Sequence, residues 1–220
     1  MTNEDQTAET VSKTIHDRRT AKVLANENCE LFHSDQVLKR CDGLVGEAIT
    51  DAGMAPFHYD RGLNGIAEPW RFHWIKQQEC RNLSKQLPDW YPEMKPSNKL
   101  PAMLAACGSL VLINWLPQFG WSTEDQKQLQ IDEEHLAATA AATQNFLLSL
   151  TSRGLKTYWS SGGFFRMDSM FERLGIASTE KLLAAIFVDY GAADNVEIVS
   201  GKQHDNRQAY SAWTTTIQLN

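Results

Sequence analysis

The stretch SLVLINW at Ser109–Trp115 predicts a β-strand buried on both faces, because its apolar run is nearly continuous and Pro117 closes it. A second buried strand is predicted at Leu182–Tyr190. Trp70–Lys76 alternates aromatic and polar residues, which is typical of a strand, and a short strand is predicted at Lys156–Trp159. The chain therefore combines buried strands with the helices that its other segments predict.

The clearest helical pattern runs from Ser34 to Thr50, where apolar residues recur on one side and Ser34 is a suitable N-cap. The longest predicted helix runs from Asp132 to Arg153. Its acidic start complements the positive end of the helix dipole, and Gly154 stands at the position typical of a C′ residue. Shorter helices are predicted at three further places: Thr10–Asp17, Gln77–Gln86 and Asp168–Leu174.

Three other segments have less regular patterns. Phe57–Pro69 is predicted to be a loop, Pro88–Pro101 an irregular surface excursion, and Ala212–Leu219 a final strand. The sequence contains no internal repeat and no linker. We therefore expect residues 1–220 to form a single domain.

The composition excludes several classes of protein. The net charge of −6 argues against general nucleic-acid binding, because no excess of cations is available to displace counterions from phosphates. No apolar run approaches the length of a membrane span, and the polar, acidic N-terminus does not resemble a signal peptide. We therefore expect a cytoplasmic protein that associates with neither nucleic acid nor membrane.

The four cysteines, Cys29, Cys41, Cys80 and Cys107, are scattered and form no CxxC pair. This spacing does not support a zinc ribbon or a dithiol redox site, so we expect buried free thiols. Glu134-His135 does not form a zinc HExxH motif, because no second histidine stands at the required spacing. No metal site is predicted.

A basic segment, Asp17-Arg18-Arg19-Thr20-Ala21-Lys22, follows the first predicted helix. Arginine presents planar, forked donors that match phosphate oxygens, and the threonine hydroxyl adds a further donor. The segment can therefore form a socket for an anion. The alternative is a solvated basic helix end, which the helix dipole also favours.

Several loose motifs follow the basic segment in a fixed order: Ala55-Pro56-x-His58, Glu68-Pro69-Trp70-Arg71-Phe72, Gln144-Asn145-Phe146-Leu147-Leu148, Gly154-Leu155-x-x-x-Trp159-Ser160-Ser161-Gly162 and Tyr190-Gly191. In this order and spacing the chain resembles the nitroreductase family over about residues 11–193. The resemblance implies an α+β fold, an α-β-α sandwich whose central mixed or antiparallel sheet is flanked by helices. It also implies an intertwined homodimer with FMN at the dimer interface, in which residues 200–220 form a C-terminal extension that embraces the partner.

The resemblance further implies which residues contact FMN. Arg18, Arg19 and Thr20 would bind the ribityl phosphate. Lys22 would lie near the pyrimidine edge of the flavin, where a cation stabilises the negative charge left by reduction. Arg207 or Lys202 would add a second phosphate contact, and solvated basic side chains are the alternative for both.

Two further segments would contact the flavin ring. The turn with Met54, Pro56 and His58 would come from the partner subunit, and an ordinary loop histidine is the alternative for His58. Trp159, Ser160, Ser161 and Gly162 would pass the flavin edge, with the backbone N–H of Ser161 or Gly162 directed at N5. Glycine at this place lets the backbone approach the ring closely. A plain strand-to-helix turn is the alternative.

The activity implied by the resemblance is that of an FMN-dependent oxidoreductase with NADH or NADPH as co-substrate. Hydride would pass to flavin N5, and an electron-poor small molecule such as a nitroaromatic or quinone would then be reduced in a ping-pong cycle. No catalytic side chain is assigned, because the cofactor carries the chemistry. Two other classes stay open: a non-catalytic FMN- or nucleotide-binding carrier or sensor, and a structural dimerisation protein whose basic cluster pairs with acidic neighbours.

Overall fold

The computed structural model describes residues 3–25, 31–191 and 196–219. These ranges contain six α-helices: α1 (Asn3–Asp17), α2 (Asp35–Ala52), α3 (Gln77–Trp90), α4 (Leu100–Ala106), α5 (Gln126–Ser152) and α6 (Asp168–Leu174). They also contain six strands: β1 (Ala21–Ala25), β2 (Trp70–Lys76), β3 (Ser109–Trp115), β4 (Lys156–Ser160), β5 (Lys181–Asp189) and β6 (Val196–Ser200).

Four strands form a central sheet in the order β2-β3-β5-β4, and each neighbouring pair is antiparallel. Alternate residues of β3 divide between two cores, as the pleat of a strand requires. Leu110 and Leu112 pack with residues of α3, α4 and α6, whereas Val111 and Ile113 pack with residues of α2 and α5. The chain therefore forms the α-β-α sandwich that the sequence predicts.

A separate two-stranded ribbon joins the two ends of the described chain. In it β1 pairs with β6 in antiparallel register, with Ala21 opposite Ser200 and Ala25 opposite Val196. A parallel bridge between Thr20 and Thr157 attaches the ribbon to β4, at one edge of the central sheet. Sequence reasoning missed both strands of the ribbon.

The sequence predicts the bounds of β2 and β3 correctly. Ser34 is the N-cap of α2, as expected, and its hydroxyl accepts a hydrogen bond from the Val37 N–H at 3.5 Å. Cys41, Cys80 and Cys107 are buried free thiols, which confirms the prediction for these three; Cys29 lies outside the described residues. No helix within the described ranges combines the length and hydrophobicity that a membrane span needs.

The predicted start of α5 is wrong. The helix begins at Gln126, where the Asp125 carboxylate accepts from the N–H groups of the first turn, so Asp132 does not face the helix dipole. Asp132 is buried instead, and its carboxylate accepts hydrogen bonds from the three backbone N–H groups of residues 118–120 at 2.6 Å, 3.1 Å and 2.7 Å. The acidic residue thus fixes the loop that follows β3.

The expectation for Pro88–Pro101 is also wrong in part. Helix α3 continues through Pro88 to Trp90, because a proline in the last turn removes only one intrahelical hydrogen bond. Helix α4 begins at Leu100, inside the range expected to be irregular. The N-terminal helix α1 is longer than predicted, since it begins at Asn3.

The predicted final strand, Ala212–Leu219, does not form within the described chain. A short 3₁₀ turn occupies Tyr210–Ala212, and the residues after it have no regular structure. All of them are exposed, and no described strand lies beside them to supply backbone hydrogen bonds.

Candidate functional site

Three arginines gather where the chain leaves α1 and approaches β1. Partial burial lowers the pKa of Arg18, and the charges of Arg207 and Arg19 lower it further. Within the described ranges none of the three pairs with a carboxylate. The cluster therefore holds positive charge that a bound anion would balance.

The ends of the ribbon bring Arg207 to this place. Gly201, directly after β6, donates its N–H to the Thr20 carbonyl at 3.2 Å. A Cβ at Gly201 would lie 2.8 Å from the Thr20 Cβ, so only glycine allows the backbone to approach Thr20 this closely. The residues after Gly201 then turn back towards α1, and Arg207 comes within electrostatic range of Arg18.

Arg19 differs from Arg18 in its contacts. Its guanidinium donates to the His16 carbonyl and contacts the ring of His204. Arg19 thus links the end of α1 to the turn that carries Arg207. Arg18 and Thr20 lie beside it and are half-buried.

A cleft of ≈ 250 Å³ lies beyond the Thr20–Thr157 bridge. Three segments build its walls: Lys22 from β1, residues 98–103 around the start of α4, and residues 158–164 from β4 and the turn after it. No aspartate or glutamate stands among the described residues that line it. The cleft therefore has polar and cationic walls without acidic ones.

Two lysines face each other across part of this cleft. The ammonium nitrogen of Lys22 lies 5.2 Å from the centroid of the Tyr158 ring. Burial lowers the pKa of Lys22, and the charge of Lys99 lowers it further. A ligand atom that carries negative charge would relieve this repulsion.

The turn after β4 is held in one conformation. Gly162 has a φ of 105°, and a Cβ there would lie 2.3 Å from Leu182 Cδ2. The Gly162 N–H donates to the Ser160 hydroxyl at 3.2 Å, while Arg166 Nε donates to the Ser161 carbonyl at 2.5 Å. The turn thus presents backbone, rather than a side chain, to the cleft at Gly162.

Strand β4 is an edge of the central sheet, and Trp159 stands on it with 38% of its surface exposed. Within the described chain, Trp159 and Ser160 pair with β5 on one side only. Their other side adjoins the cleft. A planar ligand could therefore lie along this edge.

Met54, Pro56 and His58 lie at the opposite edge of the sheet. All three are exposed, Met54 to 77%. The neighbouring Phe57 contacts Trp70 edge to face at 5.7 Å, and Trp70 begins β2, the strand at the other edge from β4. The structure therefore brings Arg18 near Arg207, and Lys22 near Ser160–Gly162, but it leaves these three residues apart from them within one chain.

Sequence reasoning missed Asn98, Lys99 and Phe164 as cleft residues. The interpretation of residues 88–101 as an irregular excursion concealed the first two. A local signal was available, because Asn98 Oδ1 accepts from the Leu100 N–H at 2.9 Å and Pro101 stands in the first turn of α4, a common pattern at helix starts. Phe164 offered no such signal.

Metal chemistry finds no support in the described part of the chain. No group of three or more histidine, cysteine, aspartate or glutamate side chains there could hold an ion.

The family model described as "Nitroreductase family" matches residues 42–191. The chain belongs to the nitroreductase family. The matched range contains the central sheet and the turn at Ser160–Gly162, whereas Arg18 to Lys22 and Arg207 lie outside it. No protein with a curated description matches this family member.

Solved structures share the nitroreductase fold with this chain. A nitroreductase-like family protein from Bacillus cereus superposes with a TM-score of 0.63 and 18% identity, covering 94% of this chain and 96% of its own. A nitroreductase with bound FMN from Desulfitobacterium hafniense gives 0.52 and 14%, covering 99% and 100%. A nitroreductase family protein from Clostridium novyi gives 0.52 and 14%, covering 81% and 83%. At these identities the likeness concerns the fold, and it confirms the fold class predicted from the sequence.

Proposed function

We propose that this chain is an FMN-dependent oxidoreductase that uses NADH or NADPH to reduce an electron-poor acceptor, such as a nitroaromatic or a quinone. One observation carries the proposal: two groups of cations without acidic partners lie at either end of a short extended segment. Arg18 and Arg207 form the first group, and Lys22 and Lys99 form the second. An extended chain rises about 3.3 Å per residue, so about 13 Å separates Arg18 from Lys22.

This spacing suits a ligand with a phosphate at one end and an anionic ring edge at the other. Arg18, Thr20 and Arg207 would hold the phosphate of FMN, because arginine and hydroxyl donors match phosphate oxygens. Arg19, whose guanidinium is already engaged, would position the turn that carries Arg207. The bound FMN in the Desulfitobacterium hafniense relative supports this choice of ligand.

The cleft fits the flavin ring on three grounds. Lys22 and Lys99 would face the pyrimidine edge, where reduction leaves negative charge. Gly162 has no side chain that would hold the ring away from the backbone. The Gly162 N–H already donates to Ser160, so we assign the contact with flavin N5 to the Ser161 N–H.

When bound, FMN supplies hydride acceptance from the nicotinamide and two-electron transfer to the acceptor. The chain's own residues bind and orient. Lys22 would favour the reduced cofactor because its charge lies in a partly buried cleft without carboxylates. No side chain of the cleft needs to exchange a proton with the substrate, so we assign no catalytic acid or base.

We further propose a homodimer in which each site is completed by the partner. Met54, Pro56 and His58 are exposed at the edge of the sheet opposite the cleft, which suits contact with a second copy's flavin. Beyond Gly201 the chain carries large exposed apolar side chains, including Trp213 at 73% and Leu219 at 94%. An isolated chain rarely leaves such residues in water, so we assign this arm to the partner's surface. The free thiols fit a reducing compartment, and we propose the cytoplasm as the location.

An FMN titration followed by anaerobic reduction tests the proposed activity. The purified protein should bind FMN, and addition of NADH or NADPH without oxygen should bleach the flavin absorbance quickly. A carrier or sensor would bind FMN but would not bleach, and a structural protein would not bind it. Colourless protein that FMN cannot reconstitute would overturn the proposal.

A matched pair of variants tests the role of Lys22. Lys22→Gln should retain FMN but bleach more slowly, because the cation next to the reduced ring is lost. Lys13→Gln removes an exposed lysine of α1 that pairs with Asp17, and it should bleach at the wild-type rate. Equal rates for both variants would contradict the role given to Lys22.

A further inference from the structure

Cys80 and Cys107 are far apart in the sequence, but the fold brings their side chains together. Cys80 lies in the first turn of α3, and Cys107 is the C-cap of α4. Both residues are buried in the same hydrophobic cluster. Their sulfhydryl groups interact side chain to side chain. Thus two thiols that sequence spacing did not connect form a pair in space.

A fixed positive charge adjoins this pair. The guanidinium of Arg81 is fully buried and donates to the carbonyls of Leu31 and Leu104. The same guanidinium also reaches the Cys107 sulfur. Among the described residues Arg81 has no carboxylate partner. A thiolate at Cys107 would supply the missing negative charge, and the thiolate is the reactive form of cysteine.

A small void gives access to Cys107. Its volume is ≈ 10 Å³, close to the space that one water molecule occupies. Met103 and Tyr158 line both this void and the larger cleft, so these two side chains form the wall between them. A water-sized oxidant in the cleft therefore has a short path to the thiol.

We propose that Cys80 and Cys107 form an oxidation site that a peroxide converts into a disulfide. The Cys107 thiolate attacks one oxygen of hydrogen peroxide, and the O–O bond breaks to give a sulfenic acid and hydroxide. The Cys80 thiol then attacks this sulfur, so that the S–S bond forms, the S–O bond breaks and water leaves. In total the two thiols lose two electrons and two protons, and one peroxide becomes two waters.

The disulfide would tie the start of α3 to the end of α4. Helix α4 also carries Leu100 and Met103 to the wall of the cleft, so the tie lies directly behind that wall. The oxidation site does not require a bound flavin, and it can be tested independently of the proposed oxidoreductase activity.

The test uses the full-length native protein and added hydrogen peroxide. After treatment, free thiols are blocked in denaturant, and tryptic peptides are analysed by mass spectrometry without reduction. We expect a cross-link between the peptides of residues 77–81 and 100–127, with a mass lower by two hydrogens than the sum of the two. Cys41, a buried thiol hydrogen-bonded to the Tyr190 carbonyl, is the internal control and should stay free.

Two further measurements keep the test decisive. Peroxide treatment of Cys80→Ala, followed by a sulfenic-acid trap such as dimedone, should label Cys107, whereas the Cys107→Ala variant should leave Cys80 unlabelled. Addition of urea below the unfolding transition should not speed the cross-link in the wild type. Recovery of both free thiols after peroxide, or a cross-link that forms only from unfolded protein, would overturn the proposal.

Discussion

Replacement of Arg207 by alanine should have opposite effects on the protein without FMN and on FMN binding. Without an anion, Arg207 repels Arg18, so its removal should leave the thermal midpoint unchanged or raise it. With FMN present, Arg207 would contribute a charge-assisted hydrogen bond to the phosphate. Because Arg207 is exposed, solvent weakens this contribution, and we expect affinity for FMN to fall about tenfold.

The half-buried Arg18 should contribute more than Arg207. A hydrogen bond to a charged group stabilises by about 1.5–3 kcal/mol, so Arg18→Ala should weaken FMN binding about 10- to 150-fold. Arg18→Lys retains the charge but loses the forked geometry, and it should recover only part of the affinity. The assay is quenching of FMN fluorescence at fixed ionic strength, together with thermal melting of the FMN-free protein.

Lys202→Ala is the matched control for Arg207→Ala, because it removes a cation from the same exposed segment. We expect a change in FMN affinity within about twofold, from loss of screened charge alone. An Arg207→Ala variant that melts at a lower temperature and binds FMN as the wild type does would refute the reasoning. An effect of Lys202→Ala larger than that of Arg207→Ala would transfer the second phosphate contact to Lys202.

Three further predictions concern stability. Gly162→Ala should lower the thermal midpoint more than Gly163→Ala, because both glycines have positive φ but only the first would clash with Leu182; equal effects would contradict this. Asp132→Ala leaves three backbone N–H groups without their acceptor and should lower the free energy of unfolding in urea by about 3 kcal/mol or more, while a loss below 1 kcal/mol would contradict the anchoring role. Burial and nearby Arg61 lower the pKa of His135 against the opposing effects of Asp132 and the backbone of Leu116 and Tyr59; the folded state therefore takes up fewer protons than the unfolded one, and urea titrations should show stability falling from about pH 7 to pH 5, a slope that His135→Leu should flatten.

Local patterns in the sequence predicted the central elements well. Trp70–Lys76 and Ser109–Trp115 were identified because each strand carries its own hydrophobic signal, and Ser34 because a helix cap is a local feature. Asp132 was misinterpreted for the opposite reason. Its partners, the N–H groups of residues 118–120, are set by tertiary packing, so its place in the sequence suggested only a helix start.

The candidate site was predictable in part. The basic segment at Arg18–Lys22 and the turn at Ser160–Gly162 stood out by residue type and order, and their assignment as FMN contacts stays a prediction. Strands β1 and β6 were missed because each has five residues and pairs with a segment at the other end of the chain. Lys99 was missed because proline-rich sequence around it obscured the start of a helix.

The pairing of β1 with β6 has a consequence for biosynthesis. Arg18 leaves the ribosome early, but Arg207 and the strand before it are among the last residues to be translated. A nascent chain therefore cannot assemble both halves of the phosphate socket, however well its central sheet has already formed. Loading of a mononucleotide must wait until translation is complete, and a prematurely terminated chain would be unable to retain it.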